Sequence, residues 1–204
     1  MIYLFLIKYI MNYYLDQQMP PGMICKTNAL NMDESSHLVR MLNLYKFGTQ
    51  SPPVLEYGYV YKNGEMTVGN NIPDCIYTLG EAIKKRLSVN MKKINSCTIT
   101  ECVNEQYIKQ RVDSIKYGDH TLFMIVGMPV KFTMINLKNS RAQFTHFLHS
   151  GTCVFLQSDS RFTWTYNTVP SMGKRWIITL RHVSSKYKPQ TDSTIREPVK
   201  VKNK

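Results

Sequence analysis

The sequence predicts an α+β protein in which two helices precede a β domain. Three observations support this fold class: apolar residues recur at helical spacing in two segments before residue 90, short β-prone runs separated by turns fill the chain beyond Cys97, and 43% of the residues are hydrophobic. A chain of 204 residues with this composition is expected to form one domain, and the composition excludes a wholly disordered protein.

The first helix is predicted to begin after Asn31 and to end near Gly48. Asn31 with Glu34 three residues later is the pattern of a capping box, in which each side chain binds the other residue's backbone N–H. One helical face then carries apolar side chains at Leu38, Leu42 and Tyr45.

A strand is predicted at residues 54–61, which are rich in Tyr and Val, and loops at 50–53 and 62–71 flank it. Pro73 opens the second helix because proline suits the first helical position. Its apolar stripe consists of Ile76, Leu79, Ile83 and Leu87.

The second half of the chain has the pattern of a β structure. Strands are predicted at residues 97–103, 121–126, 130–135, 152–157 and 175–183. Runs of this length and spacing indicate a sandwich, a barrel or a jelly roll with the helices packed on one side.

The chain is predicted to divide into a leader of uncertain structure at residues 1–18, a domain at 19–185 and a basic flexible tail at 186–204. The longest apolar run, residues 1–7, is too short for a membrane helix, and we expect a soluble intracellular protein. Five dispersed cysteines without a Cys-x-x-Cys pair fit reduced thiols in that setting.

The charge of the chain is strongly positive and uneven. The net charge is +12, and residues 161–204 contain ten Lys or Arg against two acidic residues. A basic face of this kind suits a polyanion such as nucleic acid, while a charged tail that only increases solubility is the alternative.

Four stretches in order carry a family resemblance. They are LEYGYVY at 55–61 with NIPDC at 71–75, TITECVNEQYIKQRVDS at 98–114, LHSGTCVFLQSDSRFTWTY at 148–166, and KRWIITLRH at 174–182. Together they resemble the AlkB-type Fe(II)- and 2-oxoglutarate-dependent dioxygenases over about four fifths of the chain. The resemblance implies a double-stranded β-helix, or jelly roll, with two N-terminal helices packed on one sheet.

The resemblance also implies roles for individual residues. Asp113 stands at the family's metal-binding aspartate, and Arg175 and Arg181 stand at the two arginines that hold the carboxylates of 2-oxoglutarate. Arg161 and Trp164 stand on the side of the nucleic-acid substrate. Because residues two or six apart on a strand share a face, the Arg-x5-Arg spacing places both guanidinium groups on one side.

The sequence departs from the family at both metal-binding histidines, which are replaced by Arg111 and Tyr166. A guanidinium has no lone pair for a metal, and a phenol with a pKa near 10 ionises with difficulty. Thr100 and Cys102 also replace an Asn-x-Tyr pair that helps hold the cosubstrate. We therefore expect neither Fe(II) nor 2-oxoglutarate to bind. Arg111 is expected to form an ion pair with Asp113 instead, and an Arg111 side chain that points to solvent is the alternative.

These observations favour a catalytically degenerate member of the family that binds DNA or RNA through a basic groove. One alternative is an active dioxygenase of nucleic-acid dealkylation whose atypical metal site is completed by Tyr166 or by a second subunit. The other is a protein-binding scaffold that presents the leader or the basic tail to a partner.

Overall fold

A computed structural model describes residues 19–189, so the predicted leader and most of the predicted tail lie outside the described residues. The strands in chain order are β1 (Met23–Lys26), β2 (Val54–Lys62), β3 (Glu65–Val68), β4 (Ser96–Val103), β5 (Thr121–Gly127), β6 (Val130–Asn136), β7 (Gln143–Leu148), β8 (Cys153–Leu156), β9 (Trp164–Thr168) and β10 (Lys174–Arg181). The α-helices are α1 (Met32–Asn43), α2 (Asp74–Arg86) and α3 (Ser158–Phe162), and 3-10 helices span Ile115–Tyr117 and Ser185–Tyr187.

The strands form two antiparallel sheets, which together make a jelly roll. The larger sheet has the order β1-β8-β5-β10-β4-β2-β3 and the smaller one β7-β6-β9. From β5 onward the chain passes between the sheets repeatedly, since β5, β8 and β10 belong to the larger sheet and β6, β7 and β9 to the smaller. The predicted α+β jelly roll with two helices on one sheet is confirmed.

Helix α1 has the predicted start and an earlier end. The backbone N–H of Glu34 donates to Asn31 Oδ1 at 2.8 Å, and the N–H of Asn31 donates to Glu34 Oε2 at 2.9 Å. The helix ends at Asn43 rather than near Gly48, because Leu44 and Tyr45 donate to carbonyls three residues back and tighten the last turn. Leu44 is 83% exposed, whereas Tyr45, the last residue of the predicted apolar face, still packs against the core beyond the end of the helix.

The helices pack on the outer face of the larger sheet. Leu38 and Leu42 of α1 and Ile76 and Ile83 of α2 are buried in one core with residues of β4, β5, β8 and β10. Helix α2 begins at Asp74, one residue after the predicted position, with Pro73 as its N-cap.

A second core fills the space between the two sheets, and strand β10 separates it from the first. Trp176, Ile178 and Leu180 face the helices, whereas Ile177 belongs to the core between the sheets. Arg175 and Arg181 share the face of Ile177 because side chains alternate along a strand. This placement puts both arginines inside the jelly roll.

The structure contains strands that the sequence did not predict. The predicted loop at 62–71 contains β3, which pairs with β2 as a hairpin, and β1, β7 and β9 are also additional. At the carboxyl end Tyr187 packs against the domain, so the fold extends past the predicted boundary at residue 186. Within residues 19–189 the helices are too short to cross a bilayer.

Candidate functional site

The site lies where residues 108–111 run alongside strand β9. The backbone N–H of Arg111 donates to the carbonyl of Tyr166 at 3.0 Å, and that of Tyr166 donates back to Arg111 at 2.9 Å. The N–H of Thr168 donates to the carbonyl of Ile108 at 3.1 Å. This pairing places residues 111 and 166 side by side, with Asp113 two positions further along the chain.

Asp113 is the centre of the site, and both of its carboxylate oxygens accept hydrogen bonds from protein groups. The Tyr166 hydroxyl donates to Oδ1 at 2.6 Å, and Arg181 Nε donates to Oδ2 at 2.6 Å. The side chains of Asp113 and Arg181 are only 5% and 3% exposed, so this ion pair is buried. Arg181 also donates to Thr98 Oγ1 at 3.0 Å, which fixes its orientation.

Arg111 contacts the same centre from the surface. Its Nε donates to the Tyr166 hydroxyl at 3.0 Å and lies 3.8 Å from Asp113 Oδ1, while its side chain is 43% exposed. Asp113 therefore has two ion-pair partners. The predicted pair with Arg111 is the longer one at 3.8 Å, and the pair with Arg181 is the shorter one at 2.6 Å. Sequence reasoning missed this role of Arg181, although the Arg-x5-Arg spacing had placed Arg175 and Arg181 on one face of their strand.

Arg161 holds the loop that carries Asp113. Its terminal nitrogens donate to the backbone carbonyls of Asp113 at 3.0 Å and Ser114 at 2.9 Å, and the side chain is buried. Trp164 is also buried, in the core between the sheets. The predicted substrate-binding roles of Arg161 and Trp164 stay predictions, since a substrate would reach either side chain only after a rearrangement.

Arg175 lies at the other end of β10, away from Asp113. It donates to the backbone carbonyls of Asn104 at 2.8 Å and Pro129 at 3.4 Å, and to the hydroxyl and carbonyl of Ser171. The guanidinium thus joins three loops. The roles of Arg175 and Arg181 in binding a cosubstrate stay predictions, and each side chain already has partners inside the protein.

The charges around Asp113 fix the protonation of the site. Burial alone would raise the pKa of Asp113, but the charge and hydrogen bond of Arg181, followed by Arg111, outweigh it and lower the pKa to about 2. Burial and the Asp113 carboxylate raise the pKa of Tyr166 to about 12. At neutral pH Asp113 is therefore ionised, and Tyr166 is a neutral hydrogen-bond donor.

Aromatic rings fill the space beside Asp113 between the sheets. The Tyr166 ring stacks on Phe132 with centroids 6.1 Å apart and meets Phe123 edge-on at 5.0 Å. All three side chains are buried. The ring that carries the hydroxyl donor to Asp113 is therefore held by two aromatic contacts.

The chain shares its architecture with solved structures of low sequence identity. It matches the structure of OsALKBH1 with a TM-score of 0.60 and 12% identity, over 81% of this chain and 99% of that one. An oxidoreductase of the 2OG-Fe(II) oxygenase family from Burkholderia pseudomallei gives a TM-score of 0.62 and 14% identity, over 85% of this chain and 89% of that one. A prolyl-4-hydroxylase from Pseudomonas putida gives a TM-score of 0.53 and 11% identity, over 84% of this chain and 97% of that one. No family model and no curated protein sequence matches the chain.

The fold is therefore that of the 2OG-Fe(II) oxygenases, a class of oxidoreductases. Within this fold, the residues that the family resemblance assigns to the metal are Arg111, Asp113 and Tyr166. The backbone hydrogen bonds between residues 108–111 and β9 bring these three residues together.

The residues that are present do not fit Fe(II). Facial binding of this metal needs two imidazoles and a carboxylate with free lone pairs. Here the carboxylate oxygens of Asp113 bind Tyr166 and Arg181, and the described residues 19–189 contain no group of three His, Cys, Asp or Glu side chains placed to hold a metal. Arg111, Arg161 and Arg181 lie close to the Asp113 carboxylate and outnumber it even together with Asp119, which acts on Arg161, so the local charge disfavours a divalent cation.

Proposed function

We propose that this chain is a catalytically inactive protein of the 2OG-Fe(II) oxygenase fold that binds nucleic acid through its basic surface. The observation that carries the proposal is the state of Asp113: both carboxylate oxygens are bound at 2.6 Å by groups of the protein itself. An oxygenase of this fold needs that carboxylate for its metal.

The charge of the side chains around Asp113 opposes metal binding, in addition to the shortage of metal-binding side chains. Arg111, Arg161 and Arg181 face the carboxylate of Asp113, and the carboxylate of Asp119 also acts on Arg161, so the local excess is one positive charge while Tyr166 is neutral. A divalent cation entering this site would meet repulsion and would have to break a buried ion pair. The centre therefore stabilises the fold instead of holding a metal.

The same excess of positive charge favours an anionic partner. Lys109 and Arg111 are exposed beside the site, and the whole chain carries a net charge of +12. Positive surface of this kind attracts the phosphates of nucleic acid. The resemblance to AlkB-type dioxygenases, whose active members modify bases of DNA and RNA, supports the same partner.

One experiment tests the loss of catalysis. Purified protein is titrated with ferrous ion under anaerobic conditions, bound iron is measured by elemental analysis, and succinate formation from 2-oxoglutarate is followed after oxygen is admitted. We expect neither stoichiometric iron nor succinate above a blank. One bound iron per chain together with succinate release would overturn the assignment as inactive.

A second experiment tests nucleic-acid binding. Fluorescence anisotropy with labelled single-stranded and duplex oligonucleotides is recorded over a series of salt concentrations. We expect the logarithm of the association constant to fall linearly with the logarithm of salt, by about 0.7 to 0.9 for each phosphate contacted. Absence of binding at low salt, or binding that salt does not change, would refute this part of the proposal.

A further inference from the structure

Four tyrosines form a cluster next to the site. Tyr59 and Tyr61 belong to β2, Tyr117 to the 3-10 helix that follows Asp113, and Tyr187 to the 3-10 helix that follows β10. They pack with Val183 into one small core in which Tyr59 and Tyr117 are buried, while Tyr61 and Tyr187 are half-buried at its margin.

A cation lies over each of the four rings. The distances from the charged group to the ring centroid are 4.5 Å for Lys116 over Tyr61, 4.7 Å for Lys186 over Tyr187, 5.0 Å for Lys188 over Tyr59 and 4.5 Å for Arg181 over Tyr117. We call these four rings and the three lysines the tyrosine–lysine cluster. Contact with a ring restrains a lysine head group, and Lys116 Nζ also donates to the carbonyl of Gly64 at 2.9 Å, which uses one of its three N–H donors.

The cluster carries more positive than negative charge. Arg181 binds Asp113, and Lys62 and Glu65 stand opposite each other in the β2–β3 hairpin, so these pairs cancel. Glu56 is a further carboxylate near Tyr117, and the three lysines of the cluster outnumber it.

We infer that the tyrosine–lysine cluster is the surface that binds single-stranded nucleic acid, an inference that rests on the proposed function. The three lysines would contact phosphates, and the half-buried rings of Tyr61 and Tyr187 would stack on bases. Alternating cations and aromatic rings suit a single strand because the backbone is anionic and every base has a face that can stack. A duplex hides those faces, and an acidic polypeptide lacks them.

Arg181 connects the cluster to the centre of the jelly roll. It donates to Asp113 at 2.6 Å, and its guanidinium covers the ring of Tyr117. The ion pair at Asp113 thus fixes the 3-10 helix that presents Lys116. The site and the proposed binding surface are therefore one continuous structure.

The test compares two triple variants that remove the same charge. The first carries Lys116→Gln, Lys186→Gln and Lys188→Gln, and the control carries the substitutions Lys46→Gln, Lys85→Gln and Lys138→Gln at exposed positions outside the cluster. Binding of a labelled oligodeoxythymidylate of about 12 nucleotides is measured against salt. We expect the first variant to bind about tenfold or more weakly and its salt slope to fall by about 2, whereas the control changes affinity about twofold or less.

A double variant, Tyr61→Leu with Tyr187→Leu, tests the rings. We expect affinity to fall about fivefold or more with the salt slope unchanged, because stacking releases no counterions. Circular dichroism and thermal melting confirm that each variant is folded.

The outcomes separate this inference from the proposed function. Equal weakening by both triple variants would show that binding is not localised to the cluster, and it would overturn the inference while leaving nucleic-acid binding intact. Displacement of the labelled strand by poly-glutamate as effectively as by unlabelled strand would assign the cluster to an acidic polypeptide instead. No binding by the unmodified chain would remove the proposed function and the inference together.

Discussion

Replacement of Asp113 by alanine tests the account of the buried centre directly. The substitution removes the acceptor for the Tyr166 hydroxyl and for Arg181 Nε, both at 2.6 Å. Arg181 is 3% exposed, so its charge cannot reach water without a rearrangement. The variant therefore leaves a buried cation without its counter-ion.

The expected loss of stability is large. Removing one partner of a buried ion pair costs about 3 to 5 kcal/mol, because the remaining charge keeps its desolvation penalty. For a chain of this size, about 1 kcal/mol corresponds to roughly 2 to 4 °C in melting temperature. We expect Asp113→Ala to melt roughly 6 to 20 °C below the unmodified chain.

Urea denaturation and differential scanning calorimetry measure this loss, with Asp119→Ala as the control because Asp119 is exposed. The control is expected to change the free energy of unfolding by about 0.5 kcal/mol or less. A double variant with Asp113→Ala and Arg181→Met is expected to be about 2 kcal/mol more stable than the sum of the two single effects on the free energy of unfolding predicts. The reason is that the double variant contains no buried cation without a counter-ion.

Two results would refute this reasoning. If the Asp113→Ala variant has the same free energy of unfolding as the Asp119→Ala variant, the ion pair contributes nothing to the stability of the fold. Iron bound to the unmodified chain and absent from Asp113→Ala would show that the carboxylate holds a metal after all.

Three further predictions concern the same network. Because the pKa of Asp113 is lowered from 3.8 to about 2, its contribution to stability is present above about pH 4 and is lost as the pH falls through about 2. The difference in unfolding free energy between the unmodified chain and Asp113→Ala should therefore shrink by about 2 kcal/mol between about pH 5 and pH 2, and a constant difference would contradict the assigned pKa. Tyr166→Phe keeps the stacked ring but removes a hydrogen bond to a charged group, so urea denaturation should show a loss of about 1.5 to 3 kcal/mol; an unchanged midpoint would count against the contact. Arg111→His combined with Tyr166→His restores two imidazoles beside Asp113, and Co(II) titration should show absorption bands of a bound ion that neither the unmodified chain nor either single variant gives.

Local patterns predicted those elements whose stabilising contacts lie close in sequence. The capping box of Asn31 and Glu34 joins residues three apart, so its two hydrogen bonds follow from the sequence alone. The alternation along β10 similarly predicted that Arg175 and Arg181 share a face. Strand β7, Gln143–Leu148, was missed because its apolar residues do not alternate with polar ones, since Phe147 and Leu148 are adjacent and Phe147 is 45% exposed. Its stability comes from pairing with β6.

The partner of Asp113 shows the same limit at the site. Arg111 is two residues away and was the predicted partner, whereas Arg181 is 68 residues away and makes the close contact. Sequence spacing shows which side chains share a face, but burial decides which contact is strong. Arg181 is almost fully buried and Arg111 is 43% exposed, so the remote residue forms the stronger pair.

The arrangement explains how a jelly roll of this class can remain folded without a metal. A buried carboxylate needs positive charge or hydrogen-bond donors, and a bound cation normally supplies this to a metal-binding aspartate. In this chain Arg181 supplies the charge, and the phenol of Tyr166 supplies the donor at the position that the family resemblance assigns to a histidine. Because guanidinium groups outnumber the carboxylates, the proposed loss of the metal would leave a site that attracts anions, and Arg181 links that site to the tyrosine–lysine cluster through Tyr117. Loss of the metal site and acquisition of a nucleic-acid surface would then be consequences of the same substitutions.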